Sequence, residues 1–190
     1  MGGVSPVKAG AGAVSGGMSR AGFAFFDTAI GRCGLAWGPE GLTGVRLPPV
    51  RAFPGLEPAE PPPAAARAIA RITAFLAGAA DDFLDVELDS TKLGAFDRAV
   101  YDLARAIPAG TTRTYGALAA ALGDPGQARA VGQSLGRNPW PILVPCHRIT
   151  AADGRTGGFS APGGVATKLK LLEIEGALAV ESLPLFGGQG

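Results

Sequence analysis

Glycine and proline punctuate this chain so often that only short elements can form between them. There are 30 glycines and 16 prolines among its 190 residues. Glycine weakens the interiors of helices and strands, and proline removes a backbone donor. Each cluster therefore marks a turn or the end of an element. Residues 23–26, 34–37 and 44–47 are short apolar runs set apart by Gly31, Gly34 and Gly41, which predicts a small antiparallel meander. The proline-rich stretch 48–63 predicts a loop. Ala68, Ile69, Ile72, Phe75 and Leu76 follow helical spacing up to Gly78. Phe83, Val86 and Leu88 predict a last strand. The acidic residues around it (Asp81, Asp82, Asp85, Glu87, Asp89) read as a solvated strand and turn rather than as metal ligands.

The second half is cut into helices. Phe96, Val100, Leu103 and Ile107 mark an amphipathic helix stopped at Pro108-Ala-Gly110. Thr114 is placed to cap the next one, with Leu118, Ala119 and Leu122 inside and Gly123 at its end. Asp124 then caps a third helix with Pro125 at its first position. That helix turns Ala128, Val131, Gly132 and Leu135 inward and stops at Gly136. Two short helices joined by a tight turn make a helix-turn-helix. Spacing alone leaves open whether such a pair binds DNA or only packs. Arg129 and Gln133 share its outer face, and Ala130 and Ser134 beside them are small. A surface that is small except for one arginine can come close to a nucleic-acid groove.

Charge adds a little. Residues 1–90 carry seven Lys/Arg and nine Asp/Glu, and residues 91–190 carry ten and seven, within a total of +1. The mildly basic second half suits an anionic partner such as a phosphate backbone. Hydrophobic residues make up 47% of the chain, enough for a core without staples. The two cysteines, Cys33 and Cys146, differ in context and read as reduced thiols of a cytoplasmic protein. With His147 as the single histidine, a Cys/His zinc site is not expected, and no metal or cofactor is assigned. No run reaches transmembrane length. Residues 1–18 are expected to be a disordered tail and 179–190 a flexible one.

The densest chemical signal is Pro145-Cys146-His147-Arg148-Ile149, after the apolar residues Ile142, Leu143 and Val144. An apolar strand held by prolines at both ends would deliver Cys146 to a fixed point. A free thiol is mostly protonated at neutral pH and needs a base or a positive field to react quickly. His147 is the imidazole available. Neighbours on a strand face opposite ways, so a water or a turn would have to connect the two. Glu173 and Glu175 are candidates to orient the ring.

These residues resemble the active-site motif of the O6-alkylguanine-DNA alkyltransferases, the methylated-DNA–protein-cysteine methyltransferases. Further segments are similar in the same order: Thr114-Tyr115-Gly116, Ala128-Arg129-Ala130-Val131-Gly132, Gly136-Arg137-Asn138-Pro139, Gly158-Phe159-Ser160 and Glu175-Gly176. The resemblance spans roughly residues 94–176. It implies an α+β chain: a small ribonuclease-H-like α/β domain at 19–90, then a mostly helical catalytic domain at 91–178 with the helix-turn-helix. It implies single-turnover transfer of an alkyl group from O6-alkylguanine, and with it O4-alkylthymine as a candidate, to Cys146. His147 would act as base through a water, oriented by Glu175, and Tyr115 as proton donor to the leaving guanine. Asn138 would be the hinge behind the active-site segment. Arg129 would fill the gap left by the flipped nucleotide, with Ala130, Gln133, Ser134 and Arg137 on the DNA. Trp140, Val144, Phe159 and Ser160 would contact the substrate base. The partner implied is double-stranded DNA met through its minor groove, by a monomer with no membrane association, nucleoid-associated or nuclear according to the host.

Two departures stand out. Phe159 occupies a position where the family often has Tyr, and Ala161-Pro162 resembles a short insertion before Gly163-Gly164. The competing readings are a lesion-sensing protein without transfer activity, which would lack the reactive cysteine, a thiol hydrolase using Cys146, His147 and Glu175, and a helix-turn-helix regulator with an incidental thiol.

Overall fold

The structure, a computed structural model, describes residues 20–152 and 161–177. The two expected tails, Phe159 and Ser160 lie outside the described residues.

Three strands form an antiparallel sheet: β1 (Gly22–Thr28), β2 (Gly31–Gly38) and β3 (Gly41–Arg46), with β2 in the centre. The glycine turns are required at two places. Gly31 and Gly41 have φ of 114° and 137°, and a Cβ on Gly41 would lie 2.9 Å from the Asp89 nitrogen. Side chains alternate across the sheet. Cys33, Leu35 and Trp37 face the main core with helix α1 (Pro63–Leu76), whose Ala65, Ala68, Ile72, Phe75 and Leu76 are buried. Ala36, with Phe23 of β1, faces the other way onto Phe53. The proline-rich loop thus covers the second sheet face, tied by Phe23 N–H to Glu57 O (3.2 Å) and Ala59 N–H to Phe23 O (3.0 Å). With both faces covered, every residue of β2 from Cys33 onward is buried.

The strand expected at Phe83, Val86 and Leu88 does not form. Phe83 has a positive φ of 54°, Val86 N–H closes a turn onto Phe83 O, and only Leu88 makes a lone parallel bridge to Leu42. Tertiary partners override the alternation. Arg105 donates to the Phe83, Leu84 and Val86 carbonyls, and Arg71 clamps Asp81 and Asp85. Asp81 and Asp85 are therefore drawn to Arg71, and among the described residues no group of acidic, Cys or His side chains could hold a metal ion.

The second half contains α2 (Ala95–Arg105), β4 (Arg113–Thr114), α3 (Tyr115–Ala121), α4 (Ala128–Gly136), β5 (Ile149–Thr150) and α5 (Gly164–Ile174). Thr114 caps α3 as its sequence suggests, accepting from Ala117 N–H at 3.1 Å. Asp124 caps a 3-10 turn, Pro125–Gln127, and α4 starts only after it. β4 and β5 pair in parallel and bring the starts of α3 and the Cys146 segment together. One buried apolar cluster runs from Cys33 to Leu171 and includes both halves. No helix among the described residues is long and apolar enough to cross a membrane.

Candidate active site

Cys146 sits in turns, not at the end of a strand. Prolines at 139, 141 and 145 cannot donate to a ladder, so the segment folds on itself. Val144 N–H bonds Trp140 O at 2.8 Å, and Ile142 is held at φ 78°, unusual for a β-branched residue. Pro145, at φ −79° and ψ 64°, forms an inverse γ-turn closed by Cys146 N–H to Val144 O at 2.8 Å. A 3-10 turn over Cys146–Arg148 follows. It turns the consecutive side chains Cys146, His147 and Arg148 inward together, which a strand could not do; all three are buried.

Asn138 pins this turn. Its Nδ2 donates to Val144 O at 2.9 Å and to the Cys146 sulfur at 3.4 Å, while its Oδ1 accepts from Trp140 N–H at 2.9 Å. Asn138 itself is anchored to the sheet. Val45 N–H bonds Pro139 O (2.8 Å) and Trp140 Nε1–H bonds Leu42 O (2.7 Å), so β3 grips the two residues that follow Asn138. Trp140 is therefore a correction. It is 2% exposed, stacks edge-on to Tyr101 and is not among the described residues that line the cavity at Cys146.

Of the two glutamates at the end of α5, Glu175 meets the histidine. Glu175 Oε1 lies 2.9 Å from His147 Nε2, whereas Glu173 pairs with Lys170 at the surface. Arg148 reaches the same carboxylate with Nε and Nη2, the closest approach being 2.7 Å, and also donates to Ile107 O. Burial alone would raise the Glu175 carboxyl; the His147 and Arg148 hydrogen bonds outweigh it and hold the group at about 2. Burial pushes His147 down, so the ring is neutral at pH 7. Its proton is then on Nε2, shared with Glu175, and Nδ1 is an acceptor. Nδ1 is buried with no hydrogen-bond partner among the described residues.

Burial also raises the Cys146 thiol, against the Asn138 hydrogen bond and the charge of Lys168, which lower it. The resting pair is a neutral thiol and a neutral imidazole. Lys168 was not foreseen. It is fully buried on α5, donates to Ile149 O, lies 6.0 Å from the centre of the Tyr115 ring, and is held by burial at about 8. Its signal was in the chain: Lys168 precedes Leu171 and Leu172 by three and four residues, on the apolar stripe of the helix. Arg148 was read only as part of the motif, and its grip on Glu175 appears only in three dimensions. Tyr115 is raised by burial and secondarily by charge at Cys146.

On α4, Arg129 and Gln133 are exposed and Ala130 is half-buried. Ser134 is a second correction: it is fully buried and its carbonyl accepts from Tyr101 OH, so it does not share the outer face. Four residues on, Ser134 follows Ala130 round toward α2, and its small side chain serves helix packing. Arg137 is exposed and paired with Asp97 at 2.9 Å. Val144 is buried, with its carbonyl on Asn138. Cys146 opens into a cavity of about 520 Å³ that Asn138, Pro141, Ala161 and Pro162 also line.

Residues 95–177 match the family described as 6-O-methylguanine DNA methyltransferase, DNA binding domain. The methylated-DNA–protein-cysteine methyltransferase of Mycobacterium bovis is 39% identical over 161 residues, 84% of this chain and 95% of the relative. The chain belongs to the methylated-DNA–protein-cysteine methyltransferase family. Solved structures agree. The crystal structure of Mycobacterium tuberculosis OGT in complex with DNA superposes with a TM-score of 0.70 at 36% identity, covering 82% of this chain and 92% of that one. The O6-methylguanine-DNA methyltransferase of Pyrococcus kodakaraensis KOD1 gives 0.63 at 28% identity, covering 81% and 99%. The mixed α/β fold, with a small antiparallel sheet and five helices among the described residues, is thus that of known methyltransferases of this family.

Proposed function

We propose that this chain repairs alkylated DNA by moving the alkyl group of an O6-alkylguanine irreversibly onto Cys146. The observation that carries the reading is a thiol opening on a ligand-sized cavity beside an imidazole that Glu175 holds in one tautomer. The thiol proton passes through a bridging water to His147 Nδ1. The sulfur attacks the alkyl carbon, the S–C bond forms, and the C–O6 bond breaks with its electron pair on guanine. Tyr115 gives its proton to the leaving base, and the Lys168 ammonium offsets the charge left on the phenol. The product is a thioether, which nothing in the site is equipped to hydrolyse, so each molecule acts once.

A guanine inside a duplex hides its O6 substituent and must leave the stack, at a cost of a few kcal/mol. We read α3, the Asp124 turn and α4 as a helix-turn-helix that docks in the minor groove as a monomer. Arg129 enters the gap left by the flipped nucleotide, and Ala130, Gln133 and Arg137 lie along the strand. The backbone at Val144 contacts the base, and Phe159 and Ser160, outside the described residues, are the further contacts expected from the resemblance. Residues 19–90, read as a ribonuclease-H-like unit, brace the catalytic unit at 91–178. The test is a duplex carrying radiolabelled O6-methylguanine. Label should appear on Cys146 at one equivalent and stay there. Repeated turnover, or label on Cys33, would reject the mechanism.

A further inference from the structure

Helix α4 has two ends that must stay in register. Near one, Arg129 faces outward; past the other, the chain runs through Asn138 into the turn that holds Cys146. The helix packs against α2, with Val131, Ser134 and Leu135 buried on one and Val100, Tyr101 and Ala104 buried on the other. Apolar packing is non-directional, so it fixes the separation of the two helices better than their register. Among the described residues, two polar contacts join α2 to the end of α4. Asp97 pairs with Arg137 at 2.9 Å, with the arginine 61% exposed. Such surface pairs hold weakly, and the reading above gives Arg137 to the DNA strand. The second contact is buried. Tyr101 is 3% exposed, and its hydroxyl donates to Ser134 O at 3.0 Å, between Arg129 and Asn138 along the chain. The same ring meets Trp140 edge-on at 6.1 Å. Trp140 N–H donates to Asn138 Oδ1, and the Trp140 carbonyl accepts from Val144 N–H. Tyr101 thus touches both α4 and the segment that carries the sulfur.

We propose that Tyr101 is a positioning residue for alkyl transfer from duplex DNA: its hydroxyl keeps α4 in register with Cys146 while DNA occupies Arg137. The inference rests on the reading that Cys146 takes alkyl groups from DNA held by α4. Tyr101 is not among the described residues that line the cavity at Cys146, so it acts through α4 and Trp140. In a duplex the flipped base arrives on a strand held by α4. A shift of α4 along α2 then moves the alkyl carbon relative to the sulfur. An error of about 1 Å at the reacting atoms can cost about a hundredfold in rate. A free base carries no such tether, and its reaction does not depend on where α4 lies.

The experiment compares single-turnover transfer from O6-methylguanine in a duplex, at saturating DNA, with reaction of the free base. Tyr101→Phe keeps the ring and removes the hydroxyl, while Ser134 O retains its 3.0 Å bond from Arg137 N–H. The duplex rate should fall about fivefold, the scale of one hydrogen bond. Duplex affinity and the free-base rate should stay within about twofold of the parent. Trp140→Phe is the control for lost stability: it removes the donor to Leu42 O and should leave the ratio of duplex to free-base rates within about twofold. An unchanged duplex rate in Tyr101→Phe would overturn the proposal. So would equal slowing of both substrates, weaker duplex binding with an unchanged saturating rate, or the same change of ratio in Trp140→Phe. The parent gives a second measurement should Tyr101→Phe fold poorly. On binding undamaged duplex, the Arg137 and Asn138 amides, which donate to Ser134 O and Leu135 O, should stay protected from hydrogen exchange. Their exposure would mean that Tyr101 does not hold this end of α4, and would overturn the proposal as well. Absence of transfer from both substrates by the parent would instead reject the repair reading itself.

Discussion

Replacing Glu175 by Gln removes the charge on which the site is built. The carboxylate is the partner, among the described residues, of an Arg148 that is 1% exposed, and it also holds the His147 ring. Two routes give the size of the effect. Holding the carboxyl at about 2 instead of 4.5 corresponds to about 3 kcal/mol of stability at pH 7. Stranding one member of a buried pair typically costs about 3–5 kcal/mol. Glu175→Gln should therefore unfold about 3 kcal/mol more easily in urea at pH 7. The pH dependence has a definite sign. A carboxyl lowered by folding stabilises the native state above its unfolded value and loses that stabilisation as pH falls through its folded value. The gap between parent and variant should be full above pH 5, narrow steadily below 4.5, and approach zero near 2. The variant should also transfer alkyl groups slowly, because Nδ1 is no longer fixed as the acceptor. A gap under about 1 kcal/mol at pH 7, or one that does not change with pH, would refute the argument that this carboxylate is charged and held by Arg148 and His147.

Three further substitutions probe other parts of the structure. Trp140→Phe removes the donor to Leu42 O and should cost about 1–3 kcal/mol in urea unfolding; a neutral result would mean that this contact does not hold the sheet to the Asn138 turn. Lys168→Met should slow alkylation of Cys146 by a small electrophile at pH 7, because it removes the charge that lowers the thiol. In the parent, stability should climb between pH 8 and 10.5, where the unfolded chain holds a proton on Lys168 that the folded one has released, and Lys168→Met should flatten that climb. Arg129→Ala, at an exposed position, should leave stability within about 0.5 kcal/mol while slowing repair in duplexes far more than reaction with the free base; equal slowing of both would remove the base-flipping role.

The sequence determined the elements that depend on local chemistry. Glycine at tight turns, Thr114 at a helix start and apolar residues at helical spacing act over a few residues, so the sheet, α1, α2 and the α3–α4 pair were legible. Cys146, His147 and the choice between Glu173 and Glu175 were legible as candidates, because few reactive groups exist in the chain. The structure decided what depends on partners far along the chain. Alternation suggested a strand at 83–88, but Arg105 and Arg71 draw its polar groups into a turn. Apolar residues suggested a strand before Cys146, but prolines on both sides deny it a ladder and leave a turn that buries three consecutive side chains. Trp140 and Ser134 looked available for binding, yet one hydrogen-bonds a β3 carbonyl 98 residues away and the other packs under Tyr101. Lys168 and Arg148 looked like ordinary cations. Burial set their roles, since a charge removed from water must find a counter-charge or a carbonyl, and only the folded chain brings Glu175, Ile107 and Ile149 within reach.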